Sequence, residues 1–268
     1  MLGERTNRRG ELLLVAPVKP TEIVAGKTLP YFLGLAGITA LIAAAVGGGI
    51  VSVAAVVPIG LCFLAATFLG SMLARSSKEL TFVTVAASVF LMSYVFVPAV
   101  FTNVAPIAPI SPLTLVVRDL VNESVSLGEY AFSTGPFYLS GLVLFVLGTG
   151  IYREEDLFTQ RVVPLKFLDA LGARLHRYRS VALLSALSIP SVFIAELLGI
   201  AVLLALPTGY SLPVLFLVIA TVEELGESVH IYAGYAQHRF ETGWRTALLL
   251  GTLSGVGFCF GEKLTLLA

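Results

Sequence analysis

Five carboxylates and one imidazole stand where the chain is otherwise apolar. Glu196, Glu223, Glu224, Glu227 and Glu262, with His230, fall inside long hydrophobic runs of the C-terminal half. Ionisable groups at such depth are costly, and they usually face a cavity or a partner. Glu223, Glu227 and His230 follow i, i+4, i+7 spacing, which puts them on one face of a helix. At a rise of about 1.5 Å per residue, Glu196, Glu223 and Glu262 reach a shared level roughly 20–24 Å from the basic ends of their helices. Three carboxylates at one level in low dielectric cannot all ionise, so one keeps its proton as an acid while another acts as base. Glu227 and His230 are also a donor pair for a metal ion, and the set as a whole can relay protons or cations. A plainer alternative is that Glu227 and His230 form a polar lock between helices.

Two other stretches imitate chemistry. Gly26-Lys27-Thr28 looks like the end of a phosphate-binding loop, but Thr21 stands where that pattern needs glycine and no strand precedes it. The chain therefore binds no ATP by that route. Gly251-Thr252-Leu253-Ser254-Gly255 hints at a serine nucleophile, yet no histidine follows it. Small residues in such a run more often let helices pack closely. Cys62 and Cys259 lie far apart in apolar stretches, with neither disulfide nor metal spacing, and read as core thiols.

The elements that must position these residues are membrane helices. The 268 residues are 57% hydrophobic and 13% charged, with mean hydropathy +0.92, against about 25% charged residues in soluble domains. Runs of about 20 apolar residues can cross the hydrocarbon as helices. About seven occur, at 29–48, 52–74, 81–103, 136–152, 181–206, 212–236 and 246–267. The fold expected is thus all-α, a polytopic integral membrane protein. With the N-terminus cytoplasmic, all 17 Lys and Arg except Arg118 and Lys263 fall on one side, as basic residues do on the cytoplasmic face. Gly47–Gly49 gives a tight turn between the first two spans, and a signal peptide is not expected.

Residues 104–135 form an outer loop with Pro106, Pro109 and Pro112, then an amphipathic helix from Leu113 to Val125, re-entrant or lying on the surface. Asn122-Glu123-Ser124 is a glycosylation sequon there, of a kind that often arises by chance. The only long polar stretch is 152–180, read as a solvated cytoplasmic face with a surface helix after Pro164. The layout expected is a membrane module over 1–150, with a cytoplasmic elbow at 1–30 and four spans. A basic linker follows at 151–180, then a three-helix acidic module at 181–268.

The stretch 11–31 is basic and half-apolar, which marks a segment at the cytoplasmic interface. Its motifs are Glu4-Arg5, then Glu11, Leu13, Leu14, Pro17 and Val18, then Gly26, Lys27, Leu29, Pro30 and Tyr31. In these the segment resembles the cytoplasmic elbow of type 2 ABC transporter permeases, particularly the NatB-like export permeases, over residues 1 to about 160. Where that family has Gly-Thr, this chain has Arg8-Arg9. The resemblance implies that Glu11, Leu13, Leu14, Pro17, Val18 and Lys27 couple the spans to a separate ATPase subunit. It implies further a permease component of an exporter in the plasma membrane, a dimer of permease modules, and ATP bound only by the partner. Membrane lipid is the other partner expected, and nucleic acid is not.

Glu223-Glu224 on one helix and Phe258 with Glu262 on the next resemble the Glu-Glu-x-x-Lys and Phe-x-x-x-Glu motifs of PrsW-type intramembrane peptidases. Glu227 stands at that family's lysine position. The resemblance implies Glu223, Glu224 and Glu262 as catalytic acid and base or as ligands. Exporter permease is the leading expectation for function. An intramembrane protease of glutamic or metal-dependent type is the second, and a non-catalytic membrane scaffold the third. The apolar end at LTLLA and the start beside the elbow read as a piece of a longer fusion.

Overall fold

Pro20 opens the first helix where its missing N–H costs nothing, and Glu22 reaches back to accept from the Lys19 amide at 3.0 Å. The computed structural model describes residues 19–100, 108–151 and 162–267, and in them every element is a helix. Ten α-helices occur there: α1 Pro20–Val46, α2 Ile50–Leu73, α3 Ser77–Val100, α4 Pro112–Leu120, α5 Leu127–Ile151, α6 Val163–Gly172, α7 Tyr178–Ala186, α8 Ile189–Ala205, α9 Thr208–Ala236 and α10 Trp244–Leu267. A single 3-10 turn, Ala108–Ile110, precedes α4. The chain divides into two compact units, one ending at Lys166 and one spanning Phe167–Leu267. Glu11, Leu13, Leu14, Pro17 and Val18 lie outside the described residues.

Four helices are long and apolar enough to cross a membrane, Thr21–Val46, Ile50–Leu73, Ser77–Val100 and Leu127–Thr149, all in the first unit. The first begins well before the expected residue 29. Pro30 does not break it, so the segment near Lys27 and the apolar run are one continuous helix. The fourth begins at Leu127 rather than 136, because the polar groups of its first turns are all satisfied. Arg118 Nη1 donates to Glu129 at 2.6 Å, Ser133 Oγ donates to the Pro109 carbonyl, and Thr134 Oγ1 donates to the Tyr130 carbonyl at 2.7 Å. Arg118, an exception to the charge bias, also holds Glu123 at 3.2 Å and the Ser124 carbonyl at 2.8 Å.

The expected span 181–206 is not one helix. α7 ends at Ala186 and α8 starts at Ile189, with Pro190 in its first turn. A proline there has no N–H to bond the Ala186 carbonyl four residues back, so the previous helix cannot run on through it, whereas a first turn accepts it. α8, 17 residues long, falls short of a typical span. At 29 and 24 residues, α9 and α10 have the length but fall outside the set of four on composition. Around Pro164, where a surface helix is expected, a helix is present, α6, which starts at Val163 and has Ala170 and Leu171 buried.

In the first unit α2 packs against α1, α3, α4 and α5. Phe68 of α2 stacks on Phe145 at 5.7 Å, and Tyr94 meets Phe137 edge-on at 5.6 Å. α1 is peripheral: 6% of its apolar stretch is buried, against 39% for α2 and 44% for α5. Between α1 and α2 the chain turns through Gly47, whose φ of 81° needs a residue without Cβ, and the Gly48 amide closes on the Ala43 carbonyl at 2.8 Å. α2 then starts at a glycine N-cap with no side chain to satisfy its first amides. Asp119, on α4, supplies that cap. Its Oδ2 accepts from the Gly49 amide at 2.7 Å, the Ser52 amide at 3.1 Å and Ser52 Oγ at 2.5 Å. The Ser52 hydroxyl first, then the Gly49 and Ser52 amides, hold the Asp119 carboxyl below the usual carboxylate range against the opposing effect of partial burial.

Asp119→Ala should lower stability by about 1 kcal/mol, the usual worth of an N-cap, while Asp119→Asn keeps most of it. Both are read by thermal unfolding in detergent. Because the folded carboxyl titrates lower than the unfolded one, its contribution is complete above about pH 4 and lost as pH falls through the lowered value. The wild-type advantage over Asp119→Ala should therefore shrink on acidification. An advantage that stays level with pH would contradict an ionised cap.

Candidate functional site

In the second unit α9 and α10 lie against each other in antiparallel register, which can be followed layer by layer. At the first layer Glu223 of α9 and Glu262 of α10 are near enough for their charges to repel. One turn on, Phe258 packs over Gly226, where Ser191 also closes in. Next, the Glu227 carboxylate lies over Gly255, with Oε2 3.7 Å from where a Cβ would stand. At the last layer His230 Nε2 meets Ser254 Oγ at 3.2 Å. Each step along α9 toward Ala236 is matched by a step along α10 toward Trp244. Side chains at i, i+4 and i+7 of α9 thus present one face to α10, as the spacing implies.

The sequence-derived residues fare differently in this arrangement. Glu223 and Glu262, from different helices, stand at one level of the α9–α10 pair within electrostatic reach of each other, and both are half-buried. Glu227 is half-buried on the same face, whereas Glu224 is exposed. Glu196 is half-buried on α8, which packs along α9. Among the described residues no group of three His, Cys, Asp or Glu is placed to hold a metal ion. His230 is 1% exposed, and its Nε2 faces Ser254 Oγ at 3.2 Å.

The polar lock takes a form the sequence did not suggest. Ser254 Oγ donates to the Glu227 backbone carbonyl at 2.7 Å, and Ser185 Oγ of α7 donates to the Ser254 carbonyl at 2.7 Å. Three helices are tied by two buried serines and a buried histidine, with the Glu227 side chain taking no part. A serine–histidine pair does exist here, because the imidazole comes from upstream of Ser254 rather than downstream. The serine proton points to a backbone carbonyl, and Ser254 and His230 are each 1% exposed, so the pair is closed to substrate and water.

Close packing also sits later than the 251–255 stretch. Gly251 has open space around it, whereas Gly257 and Gly261 lie directly against the backbone carbonyls of Ala182 and Ala186. These two glycines are a Gly-x-x-x-Gly pair, spaced so that small residues share one helix face and let backbones approach. That spacing was the signal available in the sequence.

In the first unit Lys27 is half-exposed on α1. Gly26-Lys27-Thr28 is plain helix, and Thr28 Oγ1 donates back to the Val24 carbonyl at 2.8 Å, so this segment is no phosphate loop. At the far end of α2, Arg75 and Ser76 turn the chain into α3. Glu79 accepts from the Arg75 amide at 2.7 Å, while the Glu79 amide donates to Ser76 Oγ at 3.3 Å. Three of the four apolar helices are bundled on α2, with Asp119 at one end and this capped turn at the other.

The sequence model of the ABC-2 family transporter protein matches residues 1–149, more than half of the chain. The chain belongs to that family. The match takes in all four membrane-length helices, so the ABC-2 module is a helical membrane permease component. No curated protein and no solved structure matches the chain. The layered α9–α10 site falls beyond the ABC-2 match.

Ser254→Ala should strand the buried His230 nitrogen, at a cost of about 1–3 kcal/mol. Gly257→Ala should be at least as harmful, because its methyl group meets a backbone carbonyl. Gly251→Ala, which has open space, serves as the control. Chemical unfolding of the three variants in detergent should rank them in that way.

Proposed function

We propose that this protein is the permease component of an ABC-type exporter in the plasma membrane, NatB-like in character and driven by a separate ATPase subunit. The observation that carries the reading is the ABC-2 match over 1–149 together with four membrane-length helices in the same stretch. ATP hydrolysis is then the partner's work, and this chain turns the partner's movement into a change of access. In the elbow reading, Glu11, Leu13, Leu14, Pro17, Val18 and Lys27 form the contact with that subunit, and two permease modules assemble around one pathway. Support for mechanical coupling comes from α1, which runs unbroken from Pro20 through Pro30 to Val46. A push at its first turns is carried along a single rod.

Co-purification tests this. An ABC ATPase encoded beside the permease should be captured by the wild-type chain and lost on Glu11→Ala with Pro17→Ala, while the variant still inserts and folds. Full capture by the double variant would remove the elbow from the coupling.

A second reading is supported by the approach of Glu223 to Glu262 on facing helices. In it the second unit is a PrsW-like intramembrane peptidase, with those two carboxylates and Glu224 as acid and base. Glu223→Gln and Glu262→Gln should then each abolish cleavage of a membrane-spanning reporter. Cleavage that survives both substitutions would sink the peptidase.

A further inference from the structure

Between α1, α2 and α5 lies a cleft of about 360 Å³, on the Pro20 side of the point where Leu35 covers Gly60. Its walls include Thr28 and Phe32 of α1, Leu61 and Leu64 of α2, and Phe145 and Thr149 of α5, and among the described residues no charged side chain lines it. Thr28 Oγ1 and Thr149 Oγ1 donate to carbonyls of their own helices, at 2.8 and 2.9 Å. An ordered water needs two to four polar partners, and the described lining offers only three threonine hydroxyls, Thr21 with Thr28 and Thr149, two of which already donate elsewhere. An apolar tail needs none.

The cleft is also held open. Phe145 is stacked on Phe68, and Phe68 in turn lies on Gly148 with no room for a Cβ between them. A wall fixed in this way cannot collapse inward, and a void left empty forfeits the dispersion contacts of everything lining it. The occupant must then be apolar and slender. A partner helix, about 10–12 Å across with its side chains, is too thick for the space. The volume lies within the roughly 300–1,000 Å³ range of small-ligand sites, and the cleft opens beside α1, the least buried of the four membrane-length helices.

We propose that this cleft is a binding site for one acyl chain of a bilayer lipid. The inference rests on the first unit lying in a membrane and not on the ATPase partner. The chain enters from the side along α1, its methylenes filling the gap between Phe32, Leu61 and Leu64 and ending against Phe145.

The test uses the full chain in phosphatidylcholine vesicles containing a phosphatidylcholine with a photoreactive diazirine on one acyl chain. Labelled peptides are mapped by mass spectrometry as the probe fraction rises. Label on 21–32, 61–64 and 145–149 should saturate, while label on Phe82 and Val89, on the exposed side of α3, rises in proportion to the probe. Ala25→Phe, which fills the cleft from α1, should cut the cleft label severalfold and leave Phe82 and Val89 unchanged. Cleft label that rises in step with Phe82 and Val89, or that a folded Ala25→Phe chain retains in full, overturns the proposal. Saturation is read on the wild-type chain and so decides the matter even if Ala25→Phe fails to fold. No ATPase is present, so a negative result leaves the exporter reading standing.

Discussion

Amide groups at the start of a helix have no partner within that helix, and in an apolar setting none can be left bare. At the head of α2 this constraint is acute, because glycines occupy 47–49 and offer no side chain. Asp119 answers it from 70 positions away. Much of the first unit follows from that one carboxylate. It fixes α4 across the head of α2. The position of α4 sets Arg118 beside Glu129, and with Glu129 paired the polar residues after Leu127 can be helical. The helix that packs most extensively on α2 gains its first turns in this way.

The second unit solves a similar problem with smaller groups. Its helices carry carboxylates and an imidazole, and close contact between them is made by residues with little or no side chain. Gly257 and Gly261 bring α7 against α10 at backbone distance, while Ser185 and Ser254 bond across the same seam. That close seam buries His230 and leaves Glu223, Glu227 and Glu262 at partly open levels of the same face. A rigid seal and an acidic, more accessible layer thus lie on one pair of helices.

Periodicity and composition made the helical class and the four apolar helices of the first unit legible, since both signals are local. The i, i+4, i+7 pattern likewise put Glu223, Glu227 and His230 on a shared face, as observed. The failures lie where a distant partner decides. The sequence places residues 127–135 in the outer loop, because the groups that satisfy their polar side chains, Arg118 and the Pro109 carbonyl, lie outside that stretch. Asp119 carries no local mark of its role, although a helix entered through glycines is itself a sign that a cap must come from elsewhere. Across 181–206 hydropathy continues through Pro190, and it hides the break before α8. The lack of a later histidine hides the partner of Ser254, whereas antiparallel helices pair a residue with one that precedes it.

One feature of α1 bears on how the first unit can move. Leu35 rests on Gly60 near the midpoint of the helix, leaving about 15 residues, or roughly 22 Å, on the Pro20 side and about 11 residues, or roughly 16 Å, on the other. A beam seated near its middle is a seesaw. Swinging its foot away from α2 would carry the opposite tip inward, and the acyl-sized space beside the foot would widen in the same stroke.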